Sequence, residues 1–388
     1  MHITEGIKYI GVNDHEITMF ERQYPVKHGM SYNSYLICDE KNAVMDTVDI
    51  HFTEQWLENI ERELGNTAPD FLIIQHMEPD HSAGIALFME KYKDALIVAG
   101  AKAFAMLQQF FGTDYANRKI VVKEGDLLCL GQHTLAFLEA PMIHWPEVIM
   151  TFEQHTGTLF SADAFGKFGA LDVDEGWTSE ARRYYINIVG KYGMQVNRLL
   201  QKASSLPMQR ICSLHGPILE APLDNYLKLY QTWASYQPES QGVLLVYSSM
   251  YGNTEGAVVK LAEILQESSP TKLLLRDITK CDLSAVVSEA FQYDRLVLAT
   301  TTYNNGIFPR MREFITQLTE HNFQNRRIGL IENGSWAPVA AKVMKSMLEG
   351  CKNLTFCEPV VTLHSALNDN SLAQLSALAQ NLKEPTAL

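Results

Sequence analysis

The residues best suited to metal chemistry lie in one short segment, His76-Met77-Glu78-Pro79-Asp80-His81. Two imidazoles and two carboxylates fall within it, directly after the apolar run Phe71–Gln75, which is typical of a strand buried on both faces. Pro79 disfavours a helix here, so we expect an extended loop whose alternate side chains share one direction. Polar loops after strands are common, but ligand-type side chains at this density predict a metal site.

Three further potential ligands each come just past an apolar run later in the chain. They are His144, Asp163 and His215. Side chains at the strand ends of a rigid sheet are well placed to hold a metal ion. A lone histidine is more often a hydrogen-bonded structural residue, but together with segment 76–81 these residues supply four imidazoles and three carboxylates. Mixed imidazole and carboxylate ligation suits iron, manganese or zinc.

A hydroxyl- and glycine-rich loop follows the apolar run Gly242–Tyr247. Its residues are Ser248, Ser249, Met250, Tyr251, Gly252, Asn253 and Thr254, and a helix is expected from Glu255. A loop of this kind between a strand and a helix N-terminus can bind phosphate through its backbone N–H groups. It lacks the GxxxxGK[ST] pattern, which argues against hydrolysis of nucleoside triphosphates. Because many helix caps look similar, the interpretation depends on the neighbouring loops.

Two more polar loops are expected at the same edge of the sheet, where doubly wound folds bind ligands. The first contains Thr302, Tyr303, Asn304, Asn305 and Gly306, and the second contains Asn333, Gly334, Ser335 and Trp336. Aromatic rings beside amides are suited to stack an isoalloxazine ring and to hydrogen-bond its edge, although Tyr303 and Trp336 could equally pack against helices. Together the three loops are similar to the FMN site of flavodoxins.

The first half of the chain, residues 1–240, must position the candidate metal ligands. Tyr32–Cys38 and Ala43–Asp46 flank a turn and predict a hairpin, while Glu54–Glu63 and Ala101–Phe111 have the apolar spacing of helices. The remaining predictions are strands at Ala95–Ala99, Ile120–Lys123, Thr134–Glu139, Val148–Phe152, Thr158–Ala162 and Arg210–Leu214, and one long helix at Ser179–Ala203. This order predicts an αββα sandwich, in which two packed sheets have helices outside.

The second half, residues 241–388, begins after a polar stretch that contains Pro238. Its strand candidates are Gly242–Tyr247, Lys272–Asp277, Arg295–Ala299, Arg327–Glu332 and Thr355–Val361. Strict alternation of strands and helices predicts a doubly wound, five-stranded parallel sheet. We therefore expect a multi-domain α/β protein with domains at 1–240 and 241–388, an ordinary division for 388 residues.

The composition excludes several classes of protein. Hydrophobic residues make up 46% and charged residues 20%, as in ordinary globular proteins. The net charge of -13 argues against a nucleic-acid or anionic-membrane partner. No apolar run approaches the ~18 residues that cross a bilayer, and the N-terminus does not resemble a secretory signal. The six cysteines are scattered with no CxxC pair, and a disulfide framework would be unusual at this size. Together with the lack of a secretory signal, this leads us to expect a protein of the reducing cytoplasm.

The metal-ligand pattern resembles that of the metallo-β-lactamase superfamily, which usually shows HxHxDH, then a later His, a late Asp and a final His. Glu78, standing where His would normally be, marks the flavodiiron proteins. The resemblance extends over nearly the whole chain and includes Tyr32-Asn33-Ser34-Tyr35-Leu36, Ser161-Ala162-Asp163-Ala164-Phe165-Gly166 and Arg183-Tyr184-Tyr185-Ile186-Asn187-Ile188. It implies two iron ions, bridged by an oxo or hydroxo group, and one FMN.

The same resemblance implies a role for each candidate ligand. His76, Glu78 and His144 would bind the iron nearer the flavin, Asp80, His81 and His215 would bind the other iron, and Asp163 would bridge them. Two ferrous ions carry four positive charges, so three carboxylates and one bridging hydroxide would make the site neutral. An anionic Glu78 favours a harder ion that must reach the ferric state. No catalytic residue is expected beyond the ligands, because metal polarisation replaces a protein nucleophile.

The flavodiiron resemblance implies an oxidoreductase that reduces dioxygen to water, nitric oxide to nitrous oxide, or both, and it leaves the preferred substrate open. Reduction of dioxygen to water needs four electrons, two from a diferrous pair and two from reduced FMN. A head-to-tail homodimer, or a dimer of such dimers, is also implied, with the FMN of one subunit close to the irons of the other. Since no rubredoxin-type CxxC pair is present, an external donor such as rubredoxin is expected.

Two other interpretations stay open at this point. The chain could be a zinc-dependent hydrolase of the lactamase superfamily that carries a flavodoxin module, although such enzymes keep an imidazole where Glu78 stands. It could also be an electron-shuttling flavodoxin whose first half holds no metal. The metal content of the protein separates the first of these from the flavodiiron interpretation, and the effect of Asp163→Asn on activity separates the second.

Overall fold

The computed structural model describes residues 1–268 and 272–384. The chain divides into two compact units. The N-terminal unit comprises Met1–Tyr185 and Met194–Gln231, and the C-terminal unit comprises Ile186–Gly193 and the chain from Thr232 onward. The domain boundary expected between residues 240 and 241 stays a prediction.

Seventeen strands belong to the N-terminal unit. They are β1 His2–Thr4, β2 Ile7–Tyr9, β3 Val12–Asp14, β4 Met19–Phe20, β5 Tyr24–Pro25, β6 Met30–Tyr32, β7 Tyr35–Ile37, β8 Ala43–Met45, β9 Phe71–Ile74, β10 Leu96–Gly100, β11 Lys119–Val122, β12 Leu127–Cys129, β13 Thr134–Glu139, β14 Ile149–Glu153, β15 Thr158–Phe160, β16 Arg210–Cys212 and β17 Leu219–Glu220. One sheet has the order β1-β2-β7-β8-β9-β10-β11, and a second has the order β12 to β17. The expected hairpin is confirmed as β7 and β8, which pair antiparallel.

Most helices of this unit lie between its strands in the chain, and the last one follows β17. They are α1 Thr53–Leu64, α2 Pro79–Ser82, α3 Ile85–Lys91, α4 Ala101–Phe111, α5 Trp177–Tyr184, α6 Gly193–Ala203 and α7 Asp224–Ala234, with a 3₁₀ turn at Ile50–Phe52. The sequence places α4 correctly, and this helix ends at Gly112, whose φ of 72° is the left-handed conformation that glycine adopts without strain. Both α6 and α7 extend by a short stretch into the C-terminal unit.

The core of the N-terminal unit lies between its two sheets. Ile37, Ile73 and Val98 of the first sheet share one buried cluster with Phe137 and Phe160 of the second. The strand β9 is buried on both faces, as its uninterrupted apolar sequence predicts, whereas β13 alternates buried and partly exposed residues. This arrangement confirms the predicted αββα sandwich.

The single long helix expected at Ser179–Ala203 is wrong. A π turn at Tyr185–Val189 and a 3₁₀ turn at Gly190–Tyr192 separate α5 from α6. Glycine at 190 and at 193 lowers the helical preference of this stretch, and three β-branched residues precede the first of them. The interruption coincides with the segment Ile186–Gly193, which belongs to the C-terminal unit.

The C-terminal unit alternates strands and helices, as its sequence predicts. Its elements are β18 Ser240–Tyr247, α8 Asn253–Ser268, β19 Leu273–Asp277, α9 Leu283–Gln292, β20 Tyr293–Tyr303, β21 Gly306–Ile307, α10 Pro309–Glu320, β22 Arg327–Asn333, α11 Ala340–Met347, β23 Thr355–Phe356, β24 Val361–Leu363 and α12 Asp369–Leu382. The parallel order β19-β18-β20-β22, followed by β23 and β24 at the fifth position, confirms the doubly wound sheet. Across the described part of the chain, no helix is both long and apolar enough to span a bilayer.

Two predictions in this unit need correction. The loop expected to contain Thr302–Gly306 is partly strand, because β20 continues to Tyr303 and turns through Asn304 and Asn305 into β21. Both asparagines have positive φ, as the tight hairpin turn requires. The strand expected at Thr355–Val361 consists of two short strands, because Pro359 lies between them and cannot donate a ladder hydrogen bond.

Candidate functional site

The first group of candidate ligands gathers where β9 and β15 end. Nε2 of His76 and Nε2 of His144 lie 3.2 and 3.0 Å from Oε2 of Glu78. The same two nitrogens lie 3.3 and 3.2 Å from Oδ2 of Asp163. Ligand atoms bound about 2.0–2.2 Å from one ion are about 3.0–3.5 Å apart, so these spacings fit a shared metal ion.

The second group gathers beside the first. Nε2 of His81 lies 3.0 Å from Nε2 of His215, and these nitrogens lie 3.3 and 3.2 Å from Oδ2 of Asp80. Oδ1 of Asp163 is 3.3 Å from His81 and 3.9 Å from His215. The structure therefore brings all seven candidate ligands together, and one carboxylate oxygen of Asp163 faces each group.

The loop that carries four of these residues differs from the expected one. Pro79 does not keep the segment extended but begins α2, where its missing N–H is tolerated in the first turn. Glu78 keeps an extended conformation before that turn, whereas Asp80 and His81 lie on it. The change of backbone direction sends Glu78 to the first group and Asp80 to the second, so the expected common direction of these side chains is wrong.

The buried oxygens of this cluster fit a metal ion. Asp163 is fully buried, and among the described residues neither its oxygens nor those of Asp80 have a donor in hydrogen-bond geometry. Burying a carboxylate without such partners is costly unless a cation balances it. Imidazole nitrogens and carboxylate oxygens at these spacings are the donor set that iron, manganese and zinc accept.

The pKa values of the candidate ligands reflect the negative electrostatic potential inside the cluster. Burial disfavours the imidazolium form of His144, but Asp163 and Glu78 outweigh burial and raise the pKa of His144 to about 9. Burial likewise opposes ionisation of Glu78, yet hydrogen bonds with His144 and His76 lower the pKa of this carboxyl to about 2. A bound cation would supply the positive charge that the cluster otherwise obtains from protons.

Residues that the sequence did not single out orient the ligands. The buried carboxylate of Asp46 accepts hydrogen bonds from the backbone N–H groups of Gln75 and His76, which fixes the end of β9. Glu147 accepts a hydrogen bond from Nδ1 of His76 at 2.8 Å. The carbonyl of Ser31 accepts one from Nδ1 of His215 at 2.6 Å. Glu147 follows His144 by three residues, but that spacing alone does not show where its side chain points.

A cavity of about 610 Å³ opens in front of the ligands. Its lining combines the apolar rings of Phe20, Tyr32 and Phe52 with carboxylates, which are those of Asp14, Glu16, Glu21, Asp49, Glu78 and Asp80. Trp145, which follows His144, and Tyr184, which belongs to the motif at residues 183–188, do not line it. They pack instead against ligand rings, Trp145 at 5.2 Å from His76 and Tyr184 at 5.6 Å from His215. The cavity gives a small molecule a route to the cluster.

A second cavity, of about 510 Å³, lies at the carboxyl edge of the parallel sheet in the C-terminal unit. Its lining includes most of the residues expected to bind a cofactor: Ser249, Met250, Tyr251, Asn253, Thr254, Thr302, Asn304, Asn305, Asn333, Gly334, Ser335 and Trp336. Thr301, Ala337 and Ser365 line it as well. Ser365 follows β24, so the rule that places ligands at this edge could also have identified it.

Four of the expected cofactor residues do not line this cavity. Ser248 is buried, and its hydroxyl bonds to Thr300 at 2.7 Å. Gly252 has a φ of 89° and open space where a Cβ would be, so it shapes the turn before α8. Tyr303 ends β20, and Gly306 begins β21 across the hairpin turn. These residues support the loops rather than form the cavity wall.

The lining groups of the second cavity suit a flavin. Among the residues that the structure describes, no carboxylate, lysine, arginine or histidine contributes to its lining, so the N-terminus of α8 supplies the positive potential for a phosphate. Asn333 donates to the carbonyl of Ser365 at 2.9 Å and accepts from its N–H at 3.0 Å, which joins two of the loops. The side chains of Tyr251 and Trp336 are largely exposed and offer ring faces for stacking.

Similarity to known proteins covers both units. A family model described as ODP family beta lactamase matches residues 30–216. The anaerobic nitric oxide reductase flavorubredoxin of Vibrio vulnificus (strain YJ016) is 29% identical over 348 residues, which cover 87% of this chain and 70% of that protein.

Solved structures agree over almost the whole length. The rubredoxin oxygen:oxidoreductase of Desulfovibrio gigas superposes with a TM-score of 0.91 at 25% identity, covering 98% of this chain and 97% of that one. The flavodiiron protein of Giardia intestinalis superposes with a TM-score of 0.89 at 24% identity, covering 98% and 95%. The second likeness establishes the fold alone.

Proposed function

Because the chain belongs to the flavodiiron protein family, we propose that it is an oxidoreductase that reduces dioxygen to water, nitric oxide to nitrous oxide, or both. The observation that carries this proposal is the position of Asp163, whose two oxygens face two separate groups of ligand-type side chains. A buried carboxylate with this placement fits two adjacent cations better than one.

Two iron ions are the cations that we assign to these groups. His76, Glu78 and His144 would hold one, Asp80, His81 and His215 would hold the other, and Asp163 would lie between them. When bound, a ferrous pair supplies two electrons and polarises a bound diatomic molecule. Three anionic carboxylates among seven ligands stabilise the higher charge of a ferric ion, which zinc cannot reach.

The protein around the ligands controls access to them. The first cavity combines the apolar rings of Phe20, Tyr32 and Phe52 with several carboxylates, so its lining admits a neutral diatomic molecule and disfavours an anion. Glu78 and Asp80 both line this cavity, so a molecule inside it lies beside one candidate ligand of each group. The buried rings of Phe20, Tyr32 and Tyr184 surround His215 and exclude water from that side.

FMN is the cofactor that we assign to the second cavity. Its phosphate would accept hydrogen bonds from the backbone at the start of α8 and from the hydroxyls of Ser249 and Thr254. Its ring would stack on the exposed face of Trp336 and meet the turn at Asn304 and Asn305. A reduced flavin supplies two electrons, which together with two from the irons completes the reduction of dioxygen to water.

Assembly and electron supply belong to the same proposal. The exposed faces of Tyr251 and Trp336 favour burial in an assembly, and we propose a head-to-tail homodimer or a dimer of such dimers. An external carrier such as rubredoxin would supply electrons to the FMN. Names of the similar proteins, flavorubredoxin and rubredoxin oxygen:oxidoreductase, support this class of donor.

Anaerobic purification followed by metal analysis and turnover tests the proposal. We expect two irons and one FMN per chain, and consumption of dioxygen or nitric oxide with a reduced rubredoxin as donor. Comparison of the two gases under one set of conditions identifies the preferred substrate. Two zinc ions per chain, with neither gas consumed, would overturn the proposal in favour of a hydrolase. Full activity of an iron-free protein would overturn it in favour of a flavin electron carrier.

A further inference from the structure

The outer nitrogens of the candidate imidazole ligands have unequal partners. Nδ1 of His76 contacts the carboxylate of Glu147 at 2.8 Å, whereas Nδ1 of His215 contacts the neutral carbonyl of Ser31 at 2.6 Å. Nδ1 of His81 has no hydrogen-bond partner within residues 1–268 and 272–384. The first ligand group therefore has an anionic partner behind it, and the second group has only a neutral one.

Glu147 is held firmly in this position. Its side chain is fully buried, and its Oε1 also accepts a hydrogen bond from the backbone N–H of Met77 at 2.9 Å. Its Oε2 is buried without a hydrogen-bond partner in the described part of the chain. The ring of Trp145 packs on His76 at 5.2 Å, so this imidazole is confined by a carboxylate at its edge and an aromatic ring beside it. A carboxylate that is buried with so few donors needs positive charge close by.

We propose that Glu147 is a positioning residue that makes the two metal positions unequal. Its carboxylate accepts the Nδ1–H of His76, which leaves the Nε2 lone pair directed at the ion, and it adds one buried negative charge to the position formed with Glu78 and His144. This position consequently binds ferrous ion before the other and favours the ferric state more strongly. The inference rests on the proposed function.

The count of charges supports this direction. Asp163 is shared, and the first position has as its own anions Glu78 and Glu147, whereas Asp80 is the carboxylate of the second ligand group. The buried carboxylate of Asp46 also acts on His81 through space, but it accepts from the backbone N–H groups of Gln75 and His76 and not from an imidazole ring. The rings of Phe20, Tyr32 and Tyr184 around His215, centred within 6 Å of it, offer the second position little electrostatic compensation. Carboxylates that orient histidine ligands typically account for about 10–100-fold in metal affinity.

Titration of the full-length, metal-depleted protein with ⁵⁷Fe(II) under anaerobic conditions tests the inference. In the native chain we expect the first equivalent to give a single Mössbauer doublet and the second equivalent to give another. A mixture of both doublets in equal amounts at one equivalent would overturn the inference without any variant.

Glu147→Gln separates the charge of this residue from its geometry. The amide keeps an oxygen that can accept from His76 and from the backbone of Met77, but it removes the negative charge. We expect the tighter ferrous binding constant to weaken about 10–100-fold, the weaker one to stay within about twofold, and the first equivalent to distribute over both doublets. FMN content and far-UV circular dichroism should not change.

Glu153→Gln is the matched control, because Glu153 is a buried carboxylate on β14 that pairs with a histidine outside the ligand groups, His133. We expect it to leave both binding constants unchanged. Equal weakening of both constants in Glu147→Gln, no change in either, or the same change in Glu153→Gln would each overturn the inference. The proposed function fails separately, if the protein loaded with two irons consumes neither dioxygen nor nitric oxide.

Discussion

The candidate metal site and the candidate flavin pocket differ in burial and in charge. His76, His81 and Asp163 are fully buried, and the metal site consists of two groups of charged or basic ligand atoms, those of each group within 4.8 Å of one another. The flavin pocket is open and lined by neutral groups, and Trp336 on its rim is 91% exposed. A small cation is recognised by a few ligand atoms at short range, whereas a flavin is recognised over a large surface with many weak contacts.

This difference determines how strongly the substitution of one side chain weakens binding at each site. Removal of one charge from the metal site leaves the remaining buried charges unbalanced, and the cost is large. In the flavin pocket, backbone N–H groups, amides and hydroxyls each contribute about 0.5–1.5 kcal/mol, so no single substitution removes most of the affinity. The comparison therefore predicts that one substitution has a large effect on metal binding in the N-terminal unit, whereas one substitution has a small effect on flavin binding in the C-terminal unit.

Asp163→Asn should have the largest effect of any single substitution. An amide keeps the size of the side chain but removes the charge that faces both ligand groups, so we expect iron content below one ion per chain and a loss of turnover of more than about 100-fold. Inductively coupled plasma mass spectrometry and anaerobic turnover measure these outcomes. FMN content should stay near one per chain.

Asp172→Asn is a suitable control, since Asp172 is an exposed carboxylate of the same unit, 3.1 Å from His15. It should retain iron and activity. A fully active Asp163→Asn variant would contradict the comparison, because it would show that the buried charge cluster serves only the stability of the fold.

Glu78→His should have the next largest effect. The substitution restores the HxHxDH pattern and replaces an anion with a neutral imidazole, so we expect a metal site that retains zinc better than iron. Reductase turnover should fall at least about tenfold, while the total metal content stays near two ions per chain. Metal analysis after purification from iron- and zinc-supplemented media measures the exchange. Unchanged iron retention and turnover would show that Glu78 does not determine the metal.

Much of the metal site could be predicted from the sequence, because ligand residue types are few and diagnostic. The structure brings His76, Glu78 and Asp163 together where strands end, as the apolar runs before them indicate. The direction of each side chain was harder to predict from the sequence. Pro79 starts a short helix and separates Glu78 from Asp80, and such a turn depends on the packing of neighbouring segments.

Residues that act through tertiary contacts were not predictable from spacing. Glu147 and Asp46 reach the end of β9 from elsewhere in the chain, and their residue types occur in many surface loops. The residues of the flavin pocket were even harder to predict from the sequence. Its lining residues are common in loops of any function, and Ser365 was missed although it follows a strand at the expected edge. The interrupted helix near Gly190 was missed because its apolar spacing continues through the break.

Trp336→Ala tests whether the loss of one side chain has only a small effect on the affinity of the flavin pocket for FMN. Loss of one stacked ring costs about 0.5–1.5 kcal/mol, so we expect FMN to bind about 2–12-fold more weakly and iron content to stay unchanged. Fluorescence titration of the FMN-depleted protein measures the affinity. Trp336→Phe keeps a ring face and should bind FMN within about threefold of the native chain. A loss of more than about 100-fold in Trp336→Ala would show that this pocket, like the metal site, depends on one side chain.

A third cluster of the N-terminal unit tests whether buried charge by itself indicates a metal site. Nδ1 of His133 lies 3.1 Å from Oε1 of Glu153, and both side chains are buried away from the ligand groups. Contact with Glu153 raises the pKa of His133. Burial opposes ionisation of Glu153, but His133 and Thr156 outweigh burial and lower the pKa of Glu153 to about 2. The ring of His155 also packs on His133 at 5.3 Å, but these residues do not form a group of ligand atoms that could hold a metal ion, so the pair of Glu153 and His133 should contribute to stability alone.

The directions of these pKa shifts predict a pH window. Stability from Glu153, whose pKa is lowered on folding, is fully present above about pH 4.5 and is lost as the pH falls toward 2. Stability from His133, whose pKa is raised, is fully present below about pH 6.5 and is lost as the pH rises through its folded value. Glu153→Gln should therefore lower Tm most between about pH 5 and 6. We expect about 4–8 °C there, for about 2 kcal/mol, and a smaller loss at pH 9. If Glu153→Gln loses iron together with stability, the two clusters act as one site. If it retains iron at every pH, the metal is bound by the seven converging ligands alone.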